Sequence, residues 1–191
     1  VWPLGMHASW NAGPACCGFS VEDDVDDVGF MRKLVAKVSK SQQVDPKRIY
    51  VTGLSNGSAM SQRLANEASD LIAATASMSL YLLVEPDPGY SPIPVMEIHG
   101  TDDRVVPYEP RNFPGAMPNF ETWKTMNGCS GDSVVSWQSG DSVARTYTEC
   151  AHGSEVTQVT VAGGGHATYK GMQTDIDTSR LAWDFLSRFS K

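Results

Sequence analysis

Residues 48–60 read RIYVTGLSNGSAM: an apolar run, a serine flanked by glycines, and the start of a segment with helical spacing. The apolar run at 48–52 predicts a strand, and 58–68 predicts a helix. The residues between them fit the G-x-S-x-G nucleophile elbow, in which a tight strand-to-helix turn presents a serine hydroxyl. The pattern alone is weak, but a strand before it and a helix after it make Ser55 a candidate nucleophile.

The rest of the chain alternates between strands and helices in the same way. Strands are predicted at 73–79, 95–99 and 156–161, and helices at 23–39 and 178–189, with a further helix suggested at 120–126. This alternation predicts an α/β fold with a mostly parallel sheet and helices on both faces. At 191 residues and 41% hydrophobic composition, the chain is expected to form a single domain over 1–191.

Charge and composition argue against several classes of partner. The net charge of −7 argues against nucleic acid, whose phosphates are bound by clustered lysines and arginines. No run approaches the roughly 18 apolar residues of a membrane span. The acidic cluster at 22–27 could be taken for a metal site, but the helical spacing that follows it favours a helix N-terminus. No metal or organic cofactor is expected.

The four cysteines indicate disulfides. Cys16, Cys17, Cys129 and Cys150 are even in number and do not have the spacing of zinc ligands, which favours an oxidising compartment and therefore secretion. The most plausible pair is Cys129 with Cys150, which flank two strand-like segments. A vicinal bridge, free thiols and a bond outside the chain all stay open for Cys16 and Cys17.

Two further stretches place chemically active residues directly after predicted strands. EIHGTDDRVVPY carries Asp102 and Asp103, and VTVAGGGHATYKG carries His166. In a parallel sheet, catalytic groups lie on the loops at the carboxyl ends of strands. Serine, aspartate and histidine follow one another here in the chain order of the α/β-hydrolase triad. In such a triad His166 takes the serine proton, and the backbone N–H of Asn56 is one oxyanion donor.

Each of these residues also has a simpler interpretation. The aspartates could belong to a solvated turn, and Asn56-Gly57-Ser58 is formally an N-glycosylation sequon, although a glycan there would block the pocket. His7 and His152 lie in predicted loops. His99 is expected to pack or hydrogen-bond behind the acid loop.

These motifs, together with SWNAGPACCG, DDVGFMRKLV, NGC and DIDTSRLAWDFLSRF, resemble a secreted esterase family over nearly the whole chain. The family includes polyhydroxybutyrate depolymerase-like enzymes and feruloyl and acetylxylan esterases. The resemblance implies an α/β-hydrolase fold and a serine carboxylesterase acting on feruloyl or acetyl esters of plant polysaccharide, or on short polyesters. It assigns Ser55 as nucleophile, Asp103 rather than Asp102 as acid, and His166 as base.

The resemblance also supports the pairing of Cys129 with Cys150. Trp10, Asn11 and Tyr169 are candidates to line the acyl pocket, although Trp10 could equally pack against the core. Relatives usually continue the histidine motif with Trp-Pro, where this chain has Tyr169 and Lys170.

Relatives also carry earlier strands and a loop that supplies a second oxyanion amide, and nothing in this chain matches them. Either a missing N-terminal segment of the same protein completes the fold, or the sheet is truncated and the site weakened. Two other functions stay open: a non-catalytic structural or binding protein that retains the fold, and a serine peptidase.

Overall fold

The computed structural model of the chain describes residues 1–170 and 176–191. Its helices and strands, in chain order, are α1 (Phe19–Glu22), α2 (Asp27–Ser41), β1 (Tyr50–Leu54), α3 (Asn56–Glu67), β2 (Ala74–Met78), β3 (Val95–Gly100), α4 (Ala116–Met126), β4 (Val134–Ser139), β5 (Ser142–Tyr147), β6 (Val156–Val161) and α5 (Thr178–Leu186). None of the helices in these two ranges is long and apolar enough to cross a membrane.

The strands form one sheet in the order β1-β2-β3-β6-β5-β4. β1, β2, β3 and β6 are parallel, and β5 and β4 extend the sheet as an antiparallel hairpin. The prediction of a mostly parallel sheet is therefore confirmed. Because the four parallel strands run the same way, the loops that follow them meet at the end of the sheet where the strands have their carboxyl ends.

Helices cover both faces of the sheet, as predicted. On one face α3 and α4 bury a core that includes Met60, Leu64, Phe120 and Trp123. On the other face α5 packs Phe185 against strand residues that include Ile98 and Val159. Because both faces are covered, the central strands β2 and β3 are buried along their whole length.

The helix predicted at 23–39 begins later than its acidic residues indicated. Asp24 has a φ of 46°, a left-handed conformation that changes the direction of the backbone after α1. Asp26 then caps α2, because its side chain accepts a 2.7 Å hydrogen bond from the backbone N–H of Gly29. The acidic cluster thus ends one short helix and starts the next, and the predicted start at residue 23 is wrong.

β1 lies at the edge of the sheet, and no other strand in the described ranges pairs with its outer side. An open groove of about 440 Å³ runs along it, lined by apolar side chains from α2, β1 and α5. They include Leu34, Val38, Val51 and Trp183. Trp183 is 57% exposed and Leu54 is 37% exposed.

The structure joins the cysteines in two pairs. Cys129 is bonded to Cys150, which ties the turn after α4 to the turn after β5, as predicted. Cys16 is bonded to Cys17, the vicinal bridge among the three alternatives.

Replacing both Cys129 and Cys150 with alanine is expected to lower the free energy of unfolding by about 3 kcal/mol, because an open chain gains entropy once this loop is released. The two cysteines are 21 residues apart, whereas Cys16 and Cys17 are adjacent and close no comparable loop. The Cys16→Ala/Cys17→Ala variant is therefore the matched control. Urea denaturation of both double variants measures the effect, and an equal loss in the control would contradict this explanation.

Candidate active site

Ser55 lies in a sharp turn between β1 and α3. Its φ of 56° and ψ of −124° are unusual for a residue with a side chain, and such strain concentrates at functional sites. The backbone N–H of Ser55 donates to Met78 O at the end of β2, and the carbonyl of Ser55 accepts from Ser58 in the first turn of α3. The serine is thus fixed by strand and helix at once.

Gly53 makes this turn possible. A Cβ atom added at Gly53 would lie 2.2 Å from the carbonyl oxygen of Gly57, so no other residue fits between strand and helix. A Cβ atom added at Gly57 would meet nothing within 4 Å. Of the two glycines in the motif, the first is therefore the one that the close approach requires.

The side chains of Asp103 and His166 are in hydrogen-bond contact at the same end of the sheet as Ser55. His166 Nδ1 lies 2.8 Å from Asp103 Oδ2, and the aspartate side chain is completely buried. The other carboxylate oxygen accepts hydrogen bonds from the backbone N–H groups of Val105 and Val106, at 2.9 and 2.8 Å. Asp102 is exposed to solvent. The structure therefore brings Asp103, and not Asp102, to His166.

The loop after β3, which carries Asp103, is hydrogen-bonded to the loop after β6, which carries His166, because β3 and β6 are neighbours. Thr101 N–H donates to Val161 O at 3.0 Å, and Asp102 N–H donates to Gly164 O at 2.9 Å. The backbone N–H of Gly163 donates to the hydroxyl of Thr101 at 2.9 Å. This backbone network holds the histidine and the aspartate in register.

His99 is buried directly behind the acid, as the sequence predicted. Its Nδ1 lies 2.9 Å from Glu97 Oε1, and its Nε2 lies 2.9 Å from Val106 O. Its ring stacks on Tyr81 with the centroids 4.9 Å apart. No sequence motif singles out Glu97, although residues two apart on a strand share a face and a carboxylate inside a buried strand requires a partner.

Asn56 fixes the loop around Trp10. Its side-chain oxygen accepts from Trp10 N–H at 2.7 Å, and its Nδ2 donates to Trp10 O at 3.0 Å. The side-chain amide of Asn56 is thus occupied in holding the backbone of Trp10. The backbone N–H of Asn56 opens α3, directly after Ser55. Trp10 stacks on Phe30 with the ring centroids 6.2 Å apart.

The other two residues predicted to line the acyl pocket are almost fully buried. Asn11 donates from its side chain to Asp24 and to Val25 O. The hydroxyl of Tyr169 donates to Gly165 O, within the loop that carries His166. Burial, and then the nearby charge of Asp103, raises the pKa of Tyr169 to about 12, so the phenol stays neutral. Their contact with substrate stays a prediction.

No family model matches the chain. The acetyl xylan esterase from Aspergillus awamori superposes with a TM-score of 0.63, over 84% of this chain and 66% of that one; at 12% identity this likeness shows the fold. Feruloyl esterase B of Piromyces equi is 34% identical over 203 residues, which cover 98% of this chain. The chain is therefore similar to feruloyl esterases over nearly its whole length.

The relatives that the chain matches are longer than this chain. The match covers 34% of the Piromyces equi esterase. Feruloyl esterase D of Neurospora crassa is 28% identical over 100% of this chain, and the match covers 61% of that esterase. The chain therefore spans between one third and two thirds of the length of these esterases. Together with the parallel sheet, this kinship identifies the architecture as an α/β-hydrolase fold.

Proposed function

We propose that this chain carries the catalytic residues of a serine carboxylic-ester hydrolase, with Ser55 as nucleophile, His166 as general base and Asp103 as the acid that orients the base. The observation that carries the proposal is the distance of 2.8 Å between His166 Nδ1 and Asp103 Oδ2. This contact lies at the carboxyl ends of the parallel strands, where Ser55 also lies. Esterase names among the relatives support the same reaction class.

The geometry defines the role of each nitrogen of His166. A carboxylate beside Nδ1 keeps the proton on Nδ1, so Nε2 has a free lone pair and can accept the Ser55 proton. The Ser55 oxygen then bonds to the ester carbonyl carbon, and the backbone N–H of Asn56 stabilises the oxyanion. Collapse breaks the ester C–O bond, and His166 returns the proton to the departing alcohol. Water, deprotonated by His166, hydrolyses the acyl-enzyme and restores the serine.

The proposed substrates are feruloyl or acetyl esters of plant polysaccharide. The relatives named above are feruloyl esterases, and the superposed structure is an acetyl xylan esterase. Hydrolysis of short polyesters rests on the motif resemblance alone. We place the protein outside the cell, because both cysteine pairs are bonded and such bonds persist in oxidising compartments.

A segment of the same protein that precedes Val1 is proposed to complete the oxyanion hole. Two observations support this: β1 has an unpaired outer edge among the described strands, and an apolar groove runs along it. A parallel sheet is normally covered at such an edge. A strand added there would end near Ser55 and could bring a second backbone N–H to the oxyanion. Intact mass and peptide mapping of the natural protein test this point.

The catalytic proposal is tested by labelling the natural protein with a fluorophosphonate and mapping the modified peptide. An adduct on Ser55 in the folded protein, and none after heat denaturation, is expected. Turnover of an aryl ester but not of the matching anilide would separate the esterase from the serine peptidase. A natural protein that neither reacts with the probe nor cleaves any ester would instead be a binding or structural protein with a hydrolase fold.

A further inference from the structure

The Glu97–His99 pair lies behind the proposed triad and takes no part in the acyl-transfer steps. Both side chains are buried: His99 is 0% exposed and Glu97 is 2% exposed. Burying two ionisable groups is costly unless they compensate each other. The pair contacts the acid directly, since His99 Nε2 lies 3.4 Å from Asp103 Oδ2, the oxygen that also binds His166.

The surroundings of Nε2 require it to carry a hydrogen. Three oxygen atoms lie near it: Val106 O at 2.9 Å, the Tyr81 hydroxyl at 3.3 Å and Asp103 Oδ2 at 3.4 Å. The Tyr81 hydroxyl donates its own proton to Pro107 O at 2.8 Å, so it can only accept from His99. An unprotonated Nε2 would place its lone pair against three acceptors.

Nδ1 faces a carboxylate, which leaves two arrangements. Either Glu97 is ionised and His99 is an imidazolium, or Glu97 holds the proton and His99 is neutral. Oε2 of Glu97 has no hydrogen-bond partner among the described residues in either arrangement, so this atom does not distinguish the two. The Oδ2 atom of Asp103 adds negative charge on the opposite side of the ring, which favours the cation.

We propose that His99 is a buried imidazolium, stabilised by Glu97, that positions Asp103 and weakens the attraction between Asp103 and protonated His166. This inference rests on the proposed function. His99, and not Glu97, contacts Asp103, so the positive charge of His99 is nearer to Asp103 than the negative charge of Glu97 is. Asp103 Oδ2, which contacts both rings, then attracts the protonated ring of His166 less strongly. Asp103 therefore stabilises the protonated form of His166 less than an isolated carboxylate would.

The electrostatics of the pocket agree with this geometry. Burial alone lowers the pKa of His99, but the carboxylate of Glu97, the carbonyl of Val106 and the charge of Asp103 together raise it above its ordinary value. Among the described residues, the other titratable groups packed against the ring are two phenols. Tyr108 packs edge-on against His99 at 5.9 Å, Tyr81 stacks on it, and burial raises the pKa of both phenols, so they stay neutral.

The decisive variant is Glu97→Gln, which keeps the size of the side chain and removes its charge. The glutamine amide can donate to Nδ1, so that His99 becomes neutral and still donates from Nε2 to Val106 O. The acidic limb of the pH profile of kcat/KM is expected to move about one pH unit upward. The plateau rate should change only a few-fold. If Glu97 is the protonated partner, glutamine imitates it and the limb does not move, which overturns the inference.

Glu109→Gln is the matched control. Glu109 is an exposed carboxylate on the same loop region, and its removal changes the net charge equally without touching His99. The limb is expected to stay in place. An equal shift in Glu109→Gln would mean that long-range charge, and not the buried pair, controls the profile.

A second measurement does not depend on activity. In ¹⁵N-histidine-labelled wild-type protein at neutral pH, the ring that is protected from solvent exchange is expected to show both nitrogens protonated. A neutral tautomer in that ring would refute the imidazolium even if Glu97→Gln failed to fold. A wild-type protein with no ester turnover but with this doubly protonated ring would refute the proposed function alone. An active wild type with an unshifted Glu97→Gln profile would refute only the role of His99.

Discussion

Substituting Asp103 with asparagine is expected to lower kcat for ester hydrolysis about 10³- to 10⁴-fold near neutral pH. Asparagine can keep its oxygen on the backbone N–H groups of Val105 and Val106, which preserves the turn. Its NH₂ group then faces His166 Nδ1 and donates to it. The proton of His166 is forced onto Nε2, so the imidazole can no longer take the proton of Ser55.

The neighbouring Asp102→Asn variant is the matched control. Both substitutions remove one carboxylate from the same loop, but Asp102 is exposed and contacts Thr101 rather than His166. Its kcat is expected to stay within about twofold of wild type, because exposed charges contribute little. Steady-state kinetics with an aryl ester compares the two variants, and thermal unfolding checks that both are folded. A larger loss in Asp102→Asn would show that the acid has been assigned to the wrong residue.

The fold could be predicted from the sequence wherever local pattern and tertiary environment agree. The strand predicted at 156–161 is observed with the same bounds, because a short run of β-branched residues buried on both faces has few alternatives. The start of α2 differs from the predicted start because charge alone does not place a helix end. The helix begins where Asp26 can cap it, and the left-handed turn at Asp24 comes before.

The candidate site divides in the same way. The positions of Ser55 and His166 follow from local signals, a glycine-flanked serine and a histidine after a glycine run. The choice between Asp102 and Asp103 could not be made from spacing, since both follow the same strand; only the resemblance made it. Contacts across long stretches of chain were beyond prediction. The two hydrogen bonds between the Asn56 side chain and the Trp10 backbone join residues 46 apart, and no sequence pattern around Asn56 indicates this contact.

Replacing Ser55 with alanine is expected to have the largest effect of all, a loss of about 10⁵- to 10⁶-fold in kcat, because acyl transfer loses its nucleophile. Alanine meets the same backbone cost as serine at a φ of 56°, so the turn and the thermal stability should persist. Fluorophosphonate labelling should disappear with the activity.

Ser61→Ala tests whether this loss is specific to the nucleophile. Ser61 lies on α3, the helix that follows Ser55, and its hydroxyl donates to Gly57 O, one turn earlier, at 2.7 Å. This variant loses a local hydrogen bond but no reacting group, so its kcat should stay close to wild type. Full activity in Ser55→Ala would place the nucleophile elsewhere, and equal losses in both variants would mean that the helix is damaged. A loss confined to Ser55→Ala would tie the chemistry to the strained turn, because Ser55 lies in that turn whereas Ser61 lies within α3.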